Sequence, residues 1–293
     1  MRWDTKARLM TLDGRTLCEE ACIILRTADP TAKIAVGAAL AKSWRDGEIS
    51  VLHGGHSALP PPPAPPAPSQ RPQRPPWRPA RPDRPELRRP GDMPRRTTSG
   101  LRGRVALLHA IAHIELNAVD LAWDLIARFA NADLPRAFYD DWIGVAADEG
   151  RHFNLLSARL NELGACYGDL PAHDGLWQAA MDTADDLTAR LAIVPMVLEA
   201  RGLDVTPAMA HKLRNGGDSP SADILQLILE DEISHVAAGQ RWFEWCCSQQ
   251  NLSPIEYWHT LVGKYFKGAL KPPFNHAARK QAGMSTKYYE PHA

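Results

Sequence analysis

Six side chains in this sequence have the types, order and spacing of a two-metal ligand set: Glu115, Glu149, His152, Glu199, Glu232 and His235. Glu149 opens a Glu-x-x-His motif that closes at His152, and Glu232 opens a second that closes at His235. At i,i+3 spacing on a helix, carboxylate and imidazole share one face and can meet one ion. Glu115 precedes the first motif by 34 residues and Glu199 precedes the second by 33. The order Glu, Glu-x-x-His, Glu, Glu-x-x-His therefore predicts two similar helical hairpins, one per metal. Carboxylate and imidazole donors suit iron or manganese better than thiolate-seeking metals. The expected cofactor is a pair of iron ions, with manganese as the alternative. A single Glu-x-x-His is a weak signal; two, each preceded by a glutamate at matched spacing, are a strong one.

The neighbours of the four glutamates make the same point energetically. Ile111, Ala112, Ala118 and Val119 flank Glu115 on its face, and Val145, Ala146 and Phe153 flank Glu149. Pro195, Met196 and Leu203 flank Glu199, and Ile228, Leu229 and Val236 flank Glu232. Four carboxylates thus face a core with no Lys or Arg on those positions. Burying an ionised carboxylate costs several kcal/mol unless something compensates. Two divalent cations supply four positive charges against the four carboxylates, and the two imidazoles complete the shells.

Supporting positions are read with less chemistry. Asp148 and Asp231 sit four residues before His152 and His235, where each could orient its own motif's ring. His109 and His113 read as hydrogen-bonded core or rim histidines. Asp120, Asp124 and Arg201 either form charged pairs behind the ligands or, by default, read as solvated surface groups, and Glu230 reads as exposed. Ala118, Gly202 and Gly239 are small enough to leave room near the ligands or to let helices approach closely. Trp242, Trp245, Tyr257 and Trp258 read as packing between the last long helix and the tail.

The elements that must carry these residues are helices. Apolar periodicity predicts four long ones, roughly 103–130, 134–164, 176–202 and 220–249, the last with Ser221 as its N-cap. Residues 1–57 form a helical N-terminal segment, 101–252 the four-helix bundle, and 253–293 a tail that packs across it. Residues 58–100 differ in composition: they hold 15 of the chain's 25 prolines and nine arginines between Arg71 and Arg96. This arm either wraps the bundle, pairing its arginines with acids, or contacts nucleic acid. No stretch alternates like a clear strand.

Formal net charge is zero, which gives no bulk argument for an acidic partner. The five cysteines, Cys18, Cys22, Cys166, Cys246 and Cys247, form no metal-binding spacing and read as reduced thiols. No apolar signal core or membrane-length run opens the chain, so a cytoplasmic protein without a membrane partner is expected.

The segments HAIAHIELNAVDLAWD, ADEGRHFNLL, VLEARGLDVTP and LEDEISHVAAG resemble a ferritin-like bacterial family catalogued as a domain of unknown function, from about Arg78 to the end of the tail. That family is more distantly similar to the di-iron tRNA hydroxylase and the rubrerythrins. The ligand set is the one general to ferritin-like di-metal carboxylate bundles. The resemblance implies an all-α, ferritin-like four-helix bundle with extra N-terminal helices, and a metal site at the six residues above. The chain lacks the paired cysteines of full rubrerythrins, so a self-contained peroxidase is not implied. The function expected is an O2-dependent oxidoreductase, a hydroxylase or oxidase, with Glu115 and Glu199 at the catalytic positions and substrate space beside them. Its partners would be a small-molecule or RNA substrate and an electron-donor protein, with an oligomer left open. A protein that oxidises or buffers iron without an organic substrate is the alternative.

Overall fold

The computed structural model describes residues 15–51, 75–89, 92–93, 100–131 and 133–292. The polyproline stretch and the first 14 residues, on which two of the expectations above fall, lie outside them. The chain folds as an all-α helical bundle. Two short helices, α1 (Leu17–Arg26) and α2 (Pro30–Arg45), come first. Thr16 caps α1 in a reciprocal capping box with Glu19, and Asp29 caps α2, with Pro30 in its first turn.

The bundle begins with α3 (Gly100–Phe129) and α4 (Arg136–Glu162). Every residue of α3 from Glu115 to Ala127 is buried, the pattern of a helix enclosed on all sides. Among the described residues α3 is long and apolar enough to cross a membrane, yet 78% of its apolar window is buried inside the protein. On α4 the buried positions Phe138, Trp142, Val145, Glu149, His152, Phe153, Leu156 and Leu160 recur every three or four residues, so the first motif rides the core-facing stripe.

The third long helix differs from the expectation of 176–202. Residues Gly175–Asp182 form a separate short helix, α5, and the chain restarts at α6 (Leu187–Ile193), capped by Asp186. It then widens into a π turn over Val194–Glu199 and continues as α7 (Ala200–Asn215). Pro195 explains the widening. A proline inside a helix has no N–H to donate and its ring clashes with the carbonyl four residues back, and a π turn relieves the clash. The N–H of Ala200 accordingly reaches back five residues to the carbonyl of Pro195.

The fourth long helix is α8 (Ser219–Gln249). Its N-cap is Asp218, whose carboxylate accepts the Ser221 N–H, so Ser221 is the capped residue and not the cap. The buried Ile228, Leu229, Glu232, His235, Val236, Trp242 and Phe243 put the second motif on the inner face. The tail adds α9 (Pro254–Tyr265), α10 (His276–Gln281) and α11 (Thr286–Tyr289). The described strand structure is a two-residue parallel pairing of β1 (Leu87–Arg88) with β2 (Ala172–His173).

Among the described residues three apolar clusters form, a small one around Leu121 and Trp177 and two larger ones that fill the bundle. One includes Leu108, Ala112, Phe153, Leu156, Leu225 and Ile228; the larger includes Val119, Val145, Met196, Val236, Phe138 and Trp242. Along α3, α4 and α8 the boundary between them falls at Glu115, at Glu149 and His152, and at Glu232. The polar residues therefore form a layer at the seam between two hydrophobic masses.

Candidate metal centre

Glu115, Glu149, His152 and Glu232 come together at that seam, with one ligand atom from each lying within 4.8 Å of the others. Their exposures run from 0% for Glu149 and His152 to 8% for Glu232. A buried carboxylate–imidazole cluster of this kind can bind a metal ion. Three helices supply it, α3 with Glu115, α4 with the first motif and α8 with Glu232.

Glu149 is the hub. Its Oε2 lies 3.4 Å from His152 Nδ1 and its Oε1 lies 3.1 Å from His235 Nδ1. His152 Nδ1 also lies 3.1 Å from Glu115 Oε2, and His235 Nδ1 lies 3.5 Å from Glu232 Oε2. The two imidazoles stand 6.0 Å apart, centre to centre. His235 thus joins through its contacts with Glu149 and Glu232. Glu199 sits outside the tight group, at the end of the π turn. Its carboxylate feels the charges of Glu232 and Glu149, and its Oε2 is sealed from solvent without a hydrogen bond.

Behind the imidazoles the aspartates are crossed. His152 Nε2 faces Asp231 Oδ2 at 2.9 Å and His235 Nε2 faces Asp148 Oδ2 at 3.4 Å. Each histidine is held by the aspartate of the other motif, not by its own as the spacing suggested. The reason is direction. The imidazole reaches inward for Glu115 or Glu149, so its outer nitrogen points across to the neighbouring helix. Arg151 closes the network, donating to Asp148 at 3.0 Å and to Asp231 at 2.7 Å. Sequence reasoning missed Arg151; its spacing of three from Asp148 was the only available signal, and half of its role lies on another helix.

Burial and crowding set the electrostatics. Desolvation, reinforced by Glu149, pushes the Glu115 carboxyl well above its ordinary value. Desolvation and the Glu232 charge do the same at Glu199, and Glu232 is raised by burial and by Glu149. Glu149 goes the other way. Burial would raise it, but the His152 and His235 imidazoles hold it below the usual carboxylate range. Burial would lower His152, yet Glu115 and Glu149 push it up to about 10. His235 rises likewise against its own desolvation, through Asp148, Glu149 and Glu232.

The other singled-out residues divide. His113 is buried between the Tyr167 hydroxyl at 2.9 Å and the His173 carbonyl at 3.2 Å, and the buried His109 accepts the Gly168 N–H at its Nε2 at 2.9 Å, both hydrogen-bonded core histidines, one of the two places expected. Glu230 is exposed. Asp120 and Asp124 are not surface groups. Both are fully buried, Asp120 against Lys33 and Arg81, Asp124 against Arg190 and Arg128. Arg128 stands one turn along the same helix from Asp124, but Lys33, Arg81 and Arg190 arrive from distant segments that no local spacing reveals. Arg201, partly exposed, sits 3.6 Å from Asp204. Gly239 allows close packing, because a Cβ there would lie 2.4 Å from Pro195 Cβ, while one on Gly202 would meet nothing within 4 Å. Trp242 packs edge-on to Phe138 and Trp258 to Tyr288. None of the five cysteines forms a disulfide.

The described part of the arginine arm wraps the bundle. Arg78 and Arg81 pair with Asp174, and Arg81 also reaches Asn117 and lies 3.4 Å from Asp120. The Lys33 ammonium donates to the Ala80 carbonyl at 3.0 Å. A cleft of about 290 Å³ between α4 and α8, lined in part by Gly144, Asp141 and Arg241, reaches His235 and Asp148.

No solved structure matches the chain. An uncharacterised protein of Haemophilus influenzae is 42% identical over 201 residues, covering 67% of this chain and 70% of that protein. The family described as "Protein of unknown function (DUF455)" matches residues 26–290, which takes in α2, the whole bundle and nearly all of the tail, and the chain belongs to that family.

Proposed function

We propose that this protein is a di-iron carboxylate protein of ferritin-like architecture and an O2-dependent oxidoreductase acting on an organic substrate. One observation carries the reading. Both oxygens of Glu149, Oε2 of Glu199, Oε2 of Glu232 and Nδ1 of His235 are buried without a hydrogen-bond partner among the described residues. Buried polar atoms are ordinarily satisfied, and an unsatisfied one costs about 1–3 kcal/mol, more for a charged group. A cluster of them facing one another fits positive ions better than it fits a protein core.

Glu115, Glu149, His152, Glu199, Glu232 and His235 would hold the ions, with Glu149 in reach of both imidazoles. When bound, a ferrous pair supplies two electrons for the reduction of O2. The chain's own contribution is positional. Asp231 and Asp148 hold the outer imidazole nitrogens, so the inner nitrogens stay directed at the carboxylates. The apolar cores above and below exclude water. Glu115 and Glu199 stand on helices without a motif histidine and are the carboxylates assigned to the reacting side. Re-reduction calls for an external electron-donor protein, and cysteines without disulfides suit a reducing, cytoplasmic setting.

The test is metal analysis of anaerobically purified protein, then optical spectra on exposure to O2. Two irons per chain and an O2-dependent absorption change are expected, and Glu149→Ala or His235→Ala should lose that stoichiometry. Fewer than one metal per chain with iron and manganese in excess would end the reading. Rapid ferrous oxidation that needs no co-substrate would move it to an iron-oxidising or iron-buffering protein.

A further inference from the structure

The helix that carries Glu199 is interrupted twice. Pro195 opens the π turn that ends on Glu199, and Pro207 lies inside α7. Pro207 has no N–H, so the carbonyl of Leu203, four residues back, loses its normal helical donor. An unmet buried carbonyl is costly and should find another partner. It does so in the tail: the Asn275 side-chain amide donates to Leu203 O at 3.1 Å. The same turn of α7 receives four further hydrogen bonds from the tail. The Asn275 N–H donates to Asp204 Oδ1 at 2.9 Å. Arg279, 2% exposed, donates to Asp204 Oδ1 and Oδ2 at 2.9 and 2.7 Å and to the Ala200 carbonyl at 3.3 Å. Ala200 is the residue that follows Glu199. The other end of the π turn is pinned from α8, where Gly239 leaves room for the Pro195 ring and no side chain would fit.

We infer that Asn275 and Arg279, on the C-terminal tail, are positioning residues for Glu199. They hold the proline-interrupted helix from outside, and so fix where the Glu199 carboxylate is presented to the centre. This rests on the reading of Glu199 as a metal ligand. The tail is then part of the site, though no hydrogen bond or ion pair joins its described residues to the carboxylate cluster. A buried, multiply bonded arginine is suited to this, since its planar fork can serve the Asp204 carboxylate and a backbone carbonyl together. A lysine can hold the charge opposite Asp204 but cannot span both.

The experiment uses full-length protein and four variants: Arg279→Met, Arg279→Lys, Asn275→Ala, and Lys33→Met as a control that breaks a buried ion pair elsewhere. Two readouts are taken. The first is amide hydrogen exchange over 194–204 in metal-free protein. Exchange there should quicken by about tenfold or more in Asn275→Ala and Arg279→Met, less in Arg279→Lys, and not in Lys33→Met. The second is titration with Co2+, read from its visible spectrum. One of two cobalt sites should weaken by roughly 10–100-fold, the usual effect of losing a ligand's support. If Arg279→Met does not fold, Asn275→Ala and Arg279→Lys decide the matter. Wild-type exchange and cobalt spectra in both would overturn the inference. A wild-type protein that takes up no cobalt would defeat the functional reading instead, and the exchange experiment would still decide whether the tail holds the turn.

Discussion

His152 and His235 each face carboxylates on both sides, and this decides how they respond to substitution and to pH. The crossed pairs predict that Asp231→Asn disturbs His152, while Asp148→Asn disturbs His235. Imidazole nitrogen NMR of the metal-free protein should show each ring shifting with the opposite motif's aspartate. Metal affinity should fall by about 10–100-fold in either variant. In the metal-free protein, His152 is held up to about 10 from an ordinary 6.5. A raised histidine stabilises the fold fully below its ordinary value, and that contribution fades as pH rises through the folded value. Metal binding has the opposite sign. Any proton on His152, Glu115 or Glu232 must leave before an ion enters, so affinity should drop by about tenfold, for each pH unit lowered, per proton displaced. Titrations at two pH values with proton release measured in parallel would check this, and pH-independent affinity would count against the site. The cluster of Glu115, Glu149, His152 and Glu232 was legible because residue type and helical spacing are local properties. The crossed aspartates and Arg151 were not, because which helices stand side by side is a tertiary fact.

The helices themselves were legible unevenly, and prolines explain where. The bounds of α3, α4 and α8 fall close to expectation, since long apolar stripes with clear ends specify them. The third helix departs from it. Thr183–Asp186 breaks what looked continuous, and the helix then runs through a π turn and past Pro207 to Asn215, beyond the expected end at 202. Pro195, four residues before Glu199, was the signal for the altered turn. The cap of α8 makes a separate prediction. Asp218 is 1% exposed, accepts from Ser221 and receives Arg159 at 2.8 Å. Asp218→Ala should cost about 2 kcal/mol, a lost cap plus a stranded arginine, measurable by chemical denaturation. Burial would raise this carboxyl, but Ser221 and Arg159 hold it below its ordinary 3.8. Its stabilising share is thus present above that value and lost as pH falls through the lower folded one. The acid limb of the melting profile should therefore be flatter in Asp218→Ala.

At the scale of the whole molecule, polar contacts tie distant segments to one bundle. Lys33 on α2 and Arg81 on the arm converge on Asp120, which is 0% exposed at the middle of α3. Lys33→Met strands part of that charge and should destabilise the protein by about 3 kcal/mol, again by denaturant unfolding. A loss below about 0.5 kcal/mol would place the pair among the weak surface bridges. The all-α architecture was legible from periodicity, and the wrapping of residues 75–89 was one of two readings the arginines allowed. The arm's partners, Asp120 and Asp174, could not be chosen from sequence, because no local spacing relates them to Arg78 or Arg81. The exchange of aspartates between the two Glu-x-x-His motifs has one more consequence. Were the chain cut between α4 and α6, each half would own a glutamate and a complete motif, yet its histidine would have nothing to lean on. Neither half should capture an ion alone, and mixing the two should restore uptake, as in fragment complementation of an interlocked pair.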